Sequence, residues 1–154
     1  MIISEYIHII IKKKYLSLIS YRSILARFHP NQKAHLAIAS LHGSVSVYDI
    51  YKKRKIFHNK DAHSSPCRDL AMTESMAHIL MSVSYDCSVN LYDLRGRTVA
   101  SKLNYSTPLS TVCLSNCGLY FCVGTLKGEV LTGDMRNLNS FLLTKKVHEG
   151  RVER

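Results

Sequence analysis

Short apolar runs separated by turn residues follow one another along most of this chain. In its central part four such runs can be placed, at about Cys67–Met72, Ile79–Ser84, Val89–Asp93 and Thr98–Leu103. They are rich in Val, Ile, Leu, Thr and Tyr and are bounded by residues that favour turns, as half-buried antiparallel strands require. The pattern therefore predicts four short β-strands in succession.

The same succession of features occurs three times. The phrase VSVYDI at Val45–Ile50 returns as VNLYDL at Val89–Leu94, and a degenerate copy, EVLTGD, ends at Gly133-Asp134. The aspartates of these phrases are separated by 44 and then 41 residues, and the apolar runs before them, LAIAS, LMSVS and FCVGT, keep the same spacing. Several independent markers on one period indicate an internal repeat.

A four-stranded unit of about 40–45 residues resembles a blade of a WD-repeat β-propeller. The Gly-His of that repeat is represented by Ala62-His63, and its Trp-Asp by Tyr48-Asp49 and Tyr92-Asp93. We predict an all-β fold of about three four-stranded antiparallel blades. The predicted blades cover about residues 22–60, 61–104 and 105–147, and a fourth starts at 148.

Three blades form an incomplete ring, since propellers typically contain 4–8. We therefore expect a fragment of a larger propeller, or a ring that a partner completes. Residues 1–21 do not match the repeat, and we treat them as an N-terminal extension of unknown role. Their apolar run is interrupted by Glu5, His8 and three lysines, so it is too short and too charged to span a bilayer.

Polar residues at set positions of the middle unit suggest two kinds of site. A Ser–His–Asp set can act as a nucleophile relay, and His63, Asp86 and either Ser82 or Ser84 would supply it. In WD repeats, however, these positions and the third-strand aromatic, here Tyr92, form a structural hydrogen-bond network. No Gly-x-Ser-x-Gly elbow is present to expose a nucleophile. We therefore predict a structural network and no catalytic residue.

The charge of the chain is strongly basic, with a formal net charge of +10. Much of it lies in short runs, which include Lys52-Lys53-Arg54-Lys55 and the pair Arg95 and Arg97. Such a surface favours acidic partners, but each run follows a strand-like segment, and we interpret the runs as solvated turns. Direct binding of nucleic acid through this surface is the last-ranked alternative, because the sequence shows no aromatic residues interleaved along a defined groove.

Cysteine and histidine spacing gives no metal site. The five cysteines form no C-x-x-C pair, and the eight histidines lack the i, i+4 pairing of a metal site. No glycine-rich phosphate loop appears. We predict no metal and no cofactor. Three of the cysteines lie inside apolar strand-like runs, and we expect buried, reduced thiols.

A narrower resemblance is carried by the segments LAIASLHGSVSVYD, DAHSSPCRD, SVSYDCSVNLYDL, TPLSTVCLS and GTLKGEVLTGDMRNL. From about Arg22 to Arg154 they resemble the later blades of the NEDD-type centrosomal WD-repeat family, the targeting subunits of the γ-tubulin ring complex. The Tyr-Asp endings and the His-Ser-x-Pro motif at His63 carry the match. Gly133, where the family has an aromatic residue, departs from it.

This resemblance implies a cytoplasmic protein at centrosomes and spindle microtubules that acts through other proteins, without enzymatic activity, small-molecule substrate or membrane contact. A WD adaptor of another assembly, of the ubiquitin-ligase or coat type, remains the alternative, because fold does not fix function. Propeller geometry places partner contacts on the loops of one rim. The candidate rim residues are Asp61, His63, Arg68, Tyr85 and Tyr105.

Overall fold

The structure is a computed structural model that describes residues 23–31 and 34–153. These residues form β-strands joined by turns and contain no helix. The strands are β1 (Ser23–Phe28), β2 (His35–Ser40), β3 (Val45–Asp49), β4 (Arg54–Asn59), β5 (Cys67–Met72), β6 (Ile79–Ser84), β7 (Ser88–Asp93), β8 (Thr98–Asn104), β9 (Leu109–Leu114), β10 (Tyr120–Thr125), β11 (Glu129–Asp134) and β12 (Leu143–Lys146). The predicted extension 1–21 lies outside the described residues, as does Arg22.

The strands form three antiparallel sheets, each built from four consecutive strands. The first sheet has the order β1-β2-β3-β4, the middle sheet β5-β6-β7-β8, and the third sheet β9-β10-β11-β12. In the middle sheet β5 and β6 have the predicted bounds, while β7 begins one residue earlier at Ser88 and β8 ends one residue later at Asn104. The prediction of three four-stranded antiparallel sheets is confirmed.

The sheets pack face to face through two apolar layers. Between the first and middle sheets, Phe57 lies against Tyr92, with ring centroids 5.2 Å apart. Between the middle and third sheets, Met81 and Val83 pack in the same cluster as Phe121. Strand β5 lies beside β1 on one side and beside β9 on the other, so the first strands of the sheets converge. Within the described residues the third sheet does not return to the first to close a ring.

The middle and third sheets place their large core side chain on different strands. In the middle sheet Leu80 on the second strand is opposite Tyr92 on the third, whereas in the third sheet Phe121 is opposite Gly133. A Cβ atom at Gly133 would overlap the Phe121 ring, and Phe121 is 1% exposed. In the third sheet the large side chain therefore lies on the second strand, and the third strand carries glycine. This exchange explains how the third repeat tolerates the loss of its aromatic residue.

The turns between the second and third strands share one backbone conformation. Gly43, Cys87 and Gly128 have φ angles of 79°, 66° and 82°, the left-handed region that favours glycine. The carbonyl oxygens of these three residues accept hydrogen bonds from the backbone amides of His63, Tyr105 and His148, at 3.0, 2.8 and 3.1 Å respectively. Each turn is therefore tied to the segment that follows its own sheet.

The turns between the third and fourth strands also repeat. The carboxylates of Asp49, Asp93 and Asp134 accept hydrogen bonds from the backbone amides two residues later, those of Tyr51, Arg95 and Arg136. A short acceptor side chain that bonds ahead to its own backbone stabilises such a turn. The repeated aspartate thus has a local role in each sheet.

Two of these turns contain a basic residue in the left-handed region. Lys53 has a φ of 50° and Arg97 a φ of 55°, and both follow the turn aspartate by four residues. A residue with a Cβ costs about 1–2 kcal/mol in this conformation, which glycine adopts freely. Both turns therefore contain a side chain at a position where glycine would be more stable.

The described cysteines are all free thiols, but the expectation that those in strands are buried is only partly met. Cys67 is buried, and burial raises the pKa of its thiol to about 12. Cys113 is exposed and Cys122 is half-buried. Alternate residues of a strand point to opposite faces, and the neighbours Val112 and Phe121 pack toward the middle sheet. Both cysteines therefore face away from that core, which corrects the expectation.

A candidate interaction rim and its supporting network

A chain of hydrogen bonds centred on His63 crosses the middle sheet. The His63 Nδ1 atom lies 3.2 Å from both carboxylate oxygens of Asp86, and Nε2 lies 2.7 Å from the Ser82 hydroxyl. A carboxylate can only accept, so Nδ1 carries the proton and donates to Asp86. Nε2 therefore accepts a hydrogen bond from Ser82.

The network continues along one face of β7. The hydroxyls of Ser82 and Tyr92 are 3.1 Å apart, and the Asn90 side-chain amide donates to the Tyr92 oxygen at 3.3 Å. Ser88 donates its hydroxyl to Asp86 at 2.6 Å. Sequence reasoning missed Ser88 and Asn90. They stand four and two residues before Tyr92, respectively, so the two-residue period of a strand places all three on one face. That signal could have found them.

Ser84, the other serine considered at the sequence level, makes different contacts. Its hydroxyl lies 3.1 Å and 3.0 Å from the carbonyl oxygens of Ser65 and Pro66, and it accepts a hydrogen bond from the Asp86 amide. It does not bond to His63. The structure therefore assigns the histidine contact to Ser82 and gives Ser84 the task of joining the segment before β5 to the β6–β7 turn.

The network is buried. Ser82 and Tyr92 are both 0% exposed, the His63 side chain is 0% exposed, and the Asp86 side chain is 5% exposed. Serine, histidine and aspartate are hydrogen-bonded in the same order as in a catalytic triad. The Ser82 oxygen, however, has no surface that a substrate could reach. Buried polar groups that satisfy each other stiffen their surroundings. The network ties β6 and β7 to the segment before β5 and to the β6–β7 turn, the two loops at one end of the sheet.

Burial and hydrogen bonding together set the pKa values of the network. Burial lowers the pKa of His63 below 6.5, although the Asp86 carboxylate acts in the opposite direction. Burial would raise the pKa of Asp86, but hydrogen bonds from Ser88 and from the Ser64 amide outweigh it and hold that pKa below 3.8. Burial also raises the pKa of Tyr92 to about 12. At neutral pH the histidine is therefore neutral and the aspartate charged.

We expect the melting temperature to fall when the pH drops below about 6.5. The unfolded chain takes up a proton on His63 near its ordinary pKa of 6.5, whereas the folded chain does so only at lower pH. Protonation in that interval favours the unfolded state. Burial lowers the pKa of His29 and His58 as well, and they act in the same direction.

The contribution of His63 to this pH dependence can be separated from those of the other histidines by thermal melts of His63→Gln at about pH 7.5 and pH 5. The variant keeps the contributions of His29 and His58 and loses that of His63. Its melting temperature should therefore fall by fewer degrees between the two pH values than that of the wild type. An equal or larger fall in the variant would contradict the assignment.

Four of the five predicted rim residues lie at the surface at this end of the middle sheet. Asp61 is exposed, and Arg68, Tyr85 and Tyr105 are half-buried. The Arg68 guanidinium lies over the Tyr85 ring, 4.9 Å from its centroid. Tyr105 turns toward the third sheet, where its ring meets that of Phe141 edge-on at 5.6 Å.

His63, the fifth predicted rim residue, does not line the surface. It is 5% exposed, and both ring nitrogens are engaged inside the sheet. Its inclusion among the partner-binding residues is corrected, because a side chain held in this way supports the rim from below. The name "upper rim" is used below for Asp61, Arg68, Tyr85 and Tyr105.

A second buried carboxylate, which sequence reasoning missed, joins all three sheets. Asp69 on β5 is 3% exposed. It accepts hydrogen bonds from Arg27 on β1 at 3.2 Å, from the Thr111 hydroxyl on β9 at 2.7 Å, and from the Val112 amide at 3.1 Å. Its role depends on contacts between repeats, and no pattern within one repeat indicates it.

Residues 23–31 and 34–153 contain no group of three or more His, Cys, Asp or Glu side chains placed to hold a metal ion. They also contain no helix of the length and apolarity needed to cross a membrane.

Comparison with known proteins places these features among WD-repeat proteins. No protein-family model matches the chain. It is 24% identical over 123 residues to Protein NEDD1 of Homo sapiens. The aligned region covers 79% of this chain and 18% of that protein. The chain is 28% identical over 131 residues to histone acetyltransferase type B subunit 2 of Candida glabrata. This alignment covers 81% of this chain and 31% of that protein.

Two further comparisons bear on fold and alternatives. The chain is 28% identical over 81 residues to the E3 ubiquitin-protein ligase RFWD3 of Mus musculus, or 52% of this chain and 10% of that protein. A chain in the crystal structure of the mitotic checkpoint complex superposes with a TM-score of 0.74 at 19% identity, covering 84% of this chain and 40% of that one. The chain spans less than a third of the length of each curated relative named here. It has the WD-repeat β-propeller fold, of which residues 23–31 and 34–153 form three blades that do not close a ring. Its resemblance to NEDD1-type proteins is confirmed.

Proposed function

We propose that this chain is a non-catalytic protein-interaction scaffold, part of a factor that targets the γ-tubulin ring complex and acts in microtubule organisation and nucleation at centrosomes and spindles. The observation that carries the proposal is the similarity to NEDD1 over 79% of the chain. The geometry adds support for a scaffold, since the buried hydrogen bonds of His63 and Ser82 stiffen the loops that present the upper rim. On this proposal the protein acts in the cytoplasm, at the centrosome and the spindle.

The absence of catalysis is part of the proposal and rests on the burial of Ser82. A nucleophile must be reached by its substrate, and this hydroxyl is 0% exposed and shared between His63 and Tyr92. A fluorophosphonate probe that reacts with activated serines should therefore leave the folded chain unlabelled. Labelling of Ser82 or Ser84, located by mass spectrometry, would contradict the proposal.

The upper rim is the proposed docking surface. Arg68 and Tyr85 present a cation stacked on an aromatic ring, and both residue types are enriched at the centres of protein interfaces. The backbone of this pair is held from below, because the Tyr85 amide bonds to the Pro66 carbonyl at 3.3 Å and Ser84 bonds to the same carbonyl. A docking partner would therefore meet a preorganised surface.

Recovery of γ-tubulin from a mitotic cell extract tests the proposal. We expect the tagged full chain to retrieve γ-tubulin complexes, and the double variant Arg68→Glu/Tyr85→Ala to retrieve several-fold less, since truncation at an interface centre commonly costs about 1–2 kcal/mol or more. The control is Lys145→Glu/Leu143→Ala on the exposed strand β12, which makes the same charge change away from the rim. It should behave as the wild type.

A WD adaptor in another assembly is the second candidate. The similarities to an E3 ubiquitin-protein ligase and to a histone acetyltransferase subunit favour it. The same retrieval separates the two candidates. Recovery of ubiquitin-ligase, vesicle-coat or acetyltransferase components without γ-tubulin would reject the first candidate and support the second.

A further inference from the structure

Two basic runs of the sequence lie at one end of the described part of the chain. The first of them, residues 52–55, occupies the turn between β3 and β4 and the start of β4, and Arg95 and Arg97 occupy the turn between β7 and β8. Antiparallel order places both turns at the end of the sheets opposite to the upper rim. All of these basic side chains are exposed.

Some of these charges already have partners. The Arg95 guanidinium lies 2.7 Å from the Asp93 carboxylate. The Lys55 ammonium lies over the Tyr48 ring, 5.6 Å from its centroid. Within the described part of the chain, Lys53, Arg54 and Arg97 have no such ion pair or ring contact. Lys52 interacts with the Asp49 carboxylate of the same turn through its charge and its backbone amide. The acidic side chain Glu74, on the β5–β6 turn, lies at the same end.

Backbone strain marks two of these basic residues. Lys53 and Arg97 are both in the left-handed region and occupy the same position in successive repeats. Glycine would adopt that conformation without strain. Strained residues with exposed, unpaired side chains point to a function of the side chain, because local stability alone favours their replacement.

We propose that Lys52, Lys53, Arg54 and Arg97, here called the basic turn surface, bind an acidic and unstructured segment of another protein. An extended segment carries carboxylates at short intervals and can follow cations placed on separate turns. Duplex nucleic acid fits less well, because these turns offer no helix or two-stranded ribbon to enter a groove. The proposal goes beyond the scaffold function and does not depend on which assembly the upper rim binds.

The test uses the full chain and a labelled peptide of alternating Glu and Ser, with a Gln-and-Ser peptide as the uncharged reference. Fluorescence anisotropy should detect binding of the acidic peptide alone, weakening as salt rises from about 50 to 200 mM. The double variant Lys53→Gly/Arg97→Gly should bind about fivefold more weakly, as expected for two exposed ion pairs. Its melting temperature should equal or exceed that of the wild type, because the substitutions relieve backbone strain.

Lys60→Ala/Lys127→Ala is the matched control, since it removes the same charge from exposed positions at the opposite end. It should bind the peptide as the wild type does. An equal loss of affinity in the control would show diffuse attraction to net charge and overturn the proposal. Tighter binding of a duplex oligonucleotide than of the acidic peptide, or no binding of the peptide at low salt, would also overturn it.

Discussion

Replacement of Asp86 by alanine should destabilise the chain by about 3 kcal/mol, because it removes at once the acceptor of several hydrogen bonds, most of them at least partly buried. His63, the Ser88 hydroxyl and the amides of Ser64 and Ser88 all donate to this carboxylate. His63 and Ser88 are buried and would lose this acceptor in a region that water reaches poorly, whereas the Ser64 amide is exposed and could bond to water. In a chain of this length that loss lowers the melting temperature by about 10 °C.

Thermal and urea melts of Asp86→Ala and Asp61→Ala would measure the effect. Asp61 lies two residues before His63 but is exposed, so its replacement should leave the melting temperature nearly unchanged. A similar melting temperature for Asp86→Ala and the wild type would mean that the network does not stabilise the fold. Loss of the upper rim's binding in Asp86→Ala at temperatures where it is folded would support its role beneath that rim.

The exchange of Phe121 and Gly133 should show strong coupling in a double-mutant cycle. Gly133→Phe alone would force a second ring into the space of the Phe121 ring and should cost about 3 kcal/mol or more. Phe121→Leu alone leaves a cavity and should cost about 1–2 kcal/mol. Together they restore the arrangement of the middle sheet, in which Leu80 is opposite an aromatic residue.

Urea denaturation of the four proteins of this cycle would test the coupling. The double variant should be within about 1 kcal/mol of the wild type, which implies a favourable interaction of about 3 kcal/mol or more between the two changes. Phenylalanine is chosen over tyrosine because Val123 stands at the position of Ser82 and offers no partner for a hydroxyl. Simple additivity of the two costs would show that the rings do not share one site.

The fold was predictable because strand patterns and turns depend on local sequence. The run Ile79–Ser84 and its neighbour Cys67–Met72 appear in the structure with their predicted bounds. The compensation at Gly133 was not predictable, since the partner residue lies on another strand and only the register brings it opposite. The repeat period identifies equivalent positions, but it does not show which of them exchange volume.

The network was predictable in part. His63 and Asp86 occupy positions that the repeat defines, and they meet in the structure. The choice between Ser82 and Ser84 could not be made, because residues two apart on a strand share a face and only the path of the loop before β5 distinguishes them. Asp69 was missed for a different reason, since its partners Arg27 and Thr111 belong to other repeats.

The contact between each β-turn and the segment after its sheet has a consequence for how such a chain can change in evolution. The carbonyl–amide pair occurs at His63, Tyr105 and His148, so a gene exchange between any two of these points joins equivalent backbones. Duplication or loss of residues 63–104 would then add or remove one whole sheet and leave every strand register intact. The buried pair Phe121 and Gly133 lies within one such exchangeable segment, residues 105–147, and would be inherited together. Asp69 accepts hydrogen bonds from residues of the neighbouring segments, so after an exchange it would need new donors there.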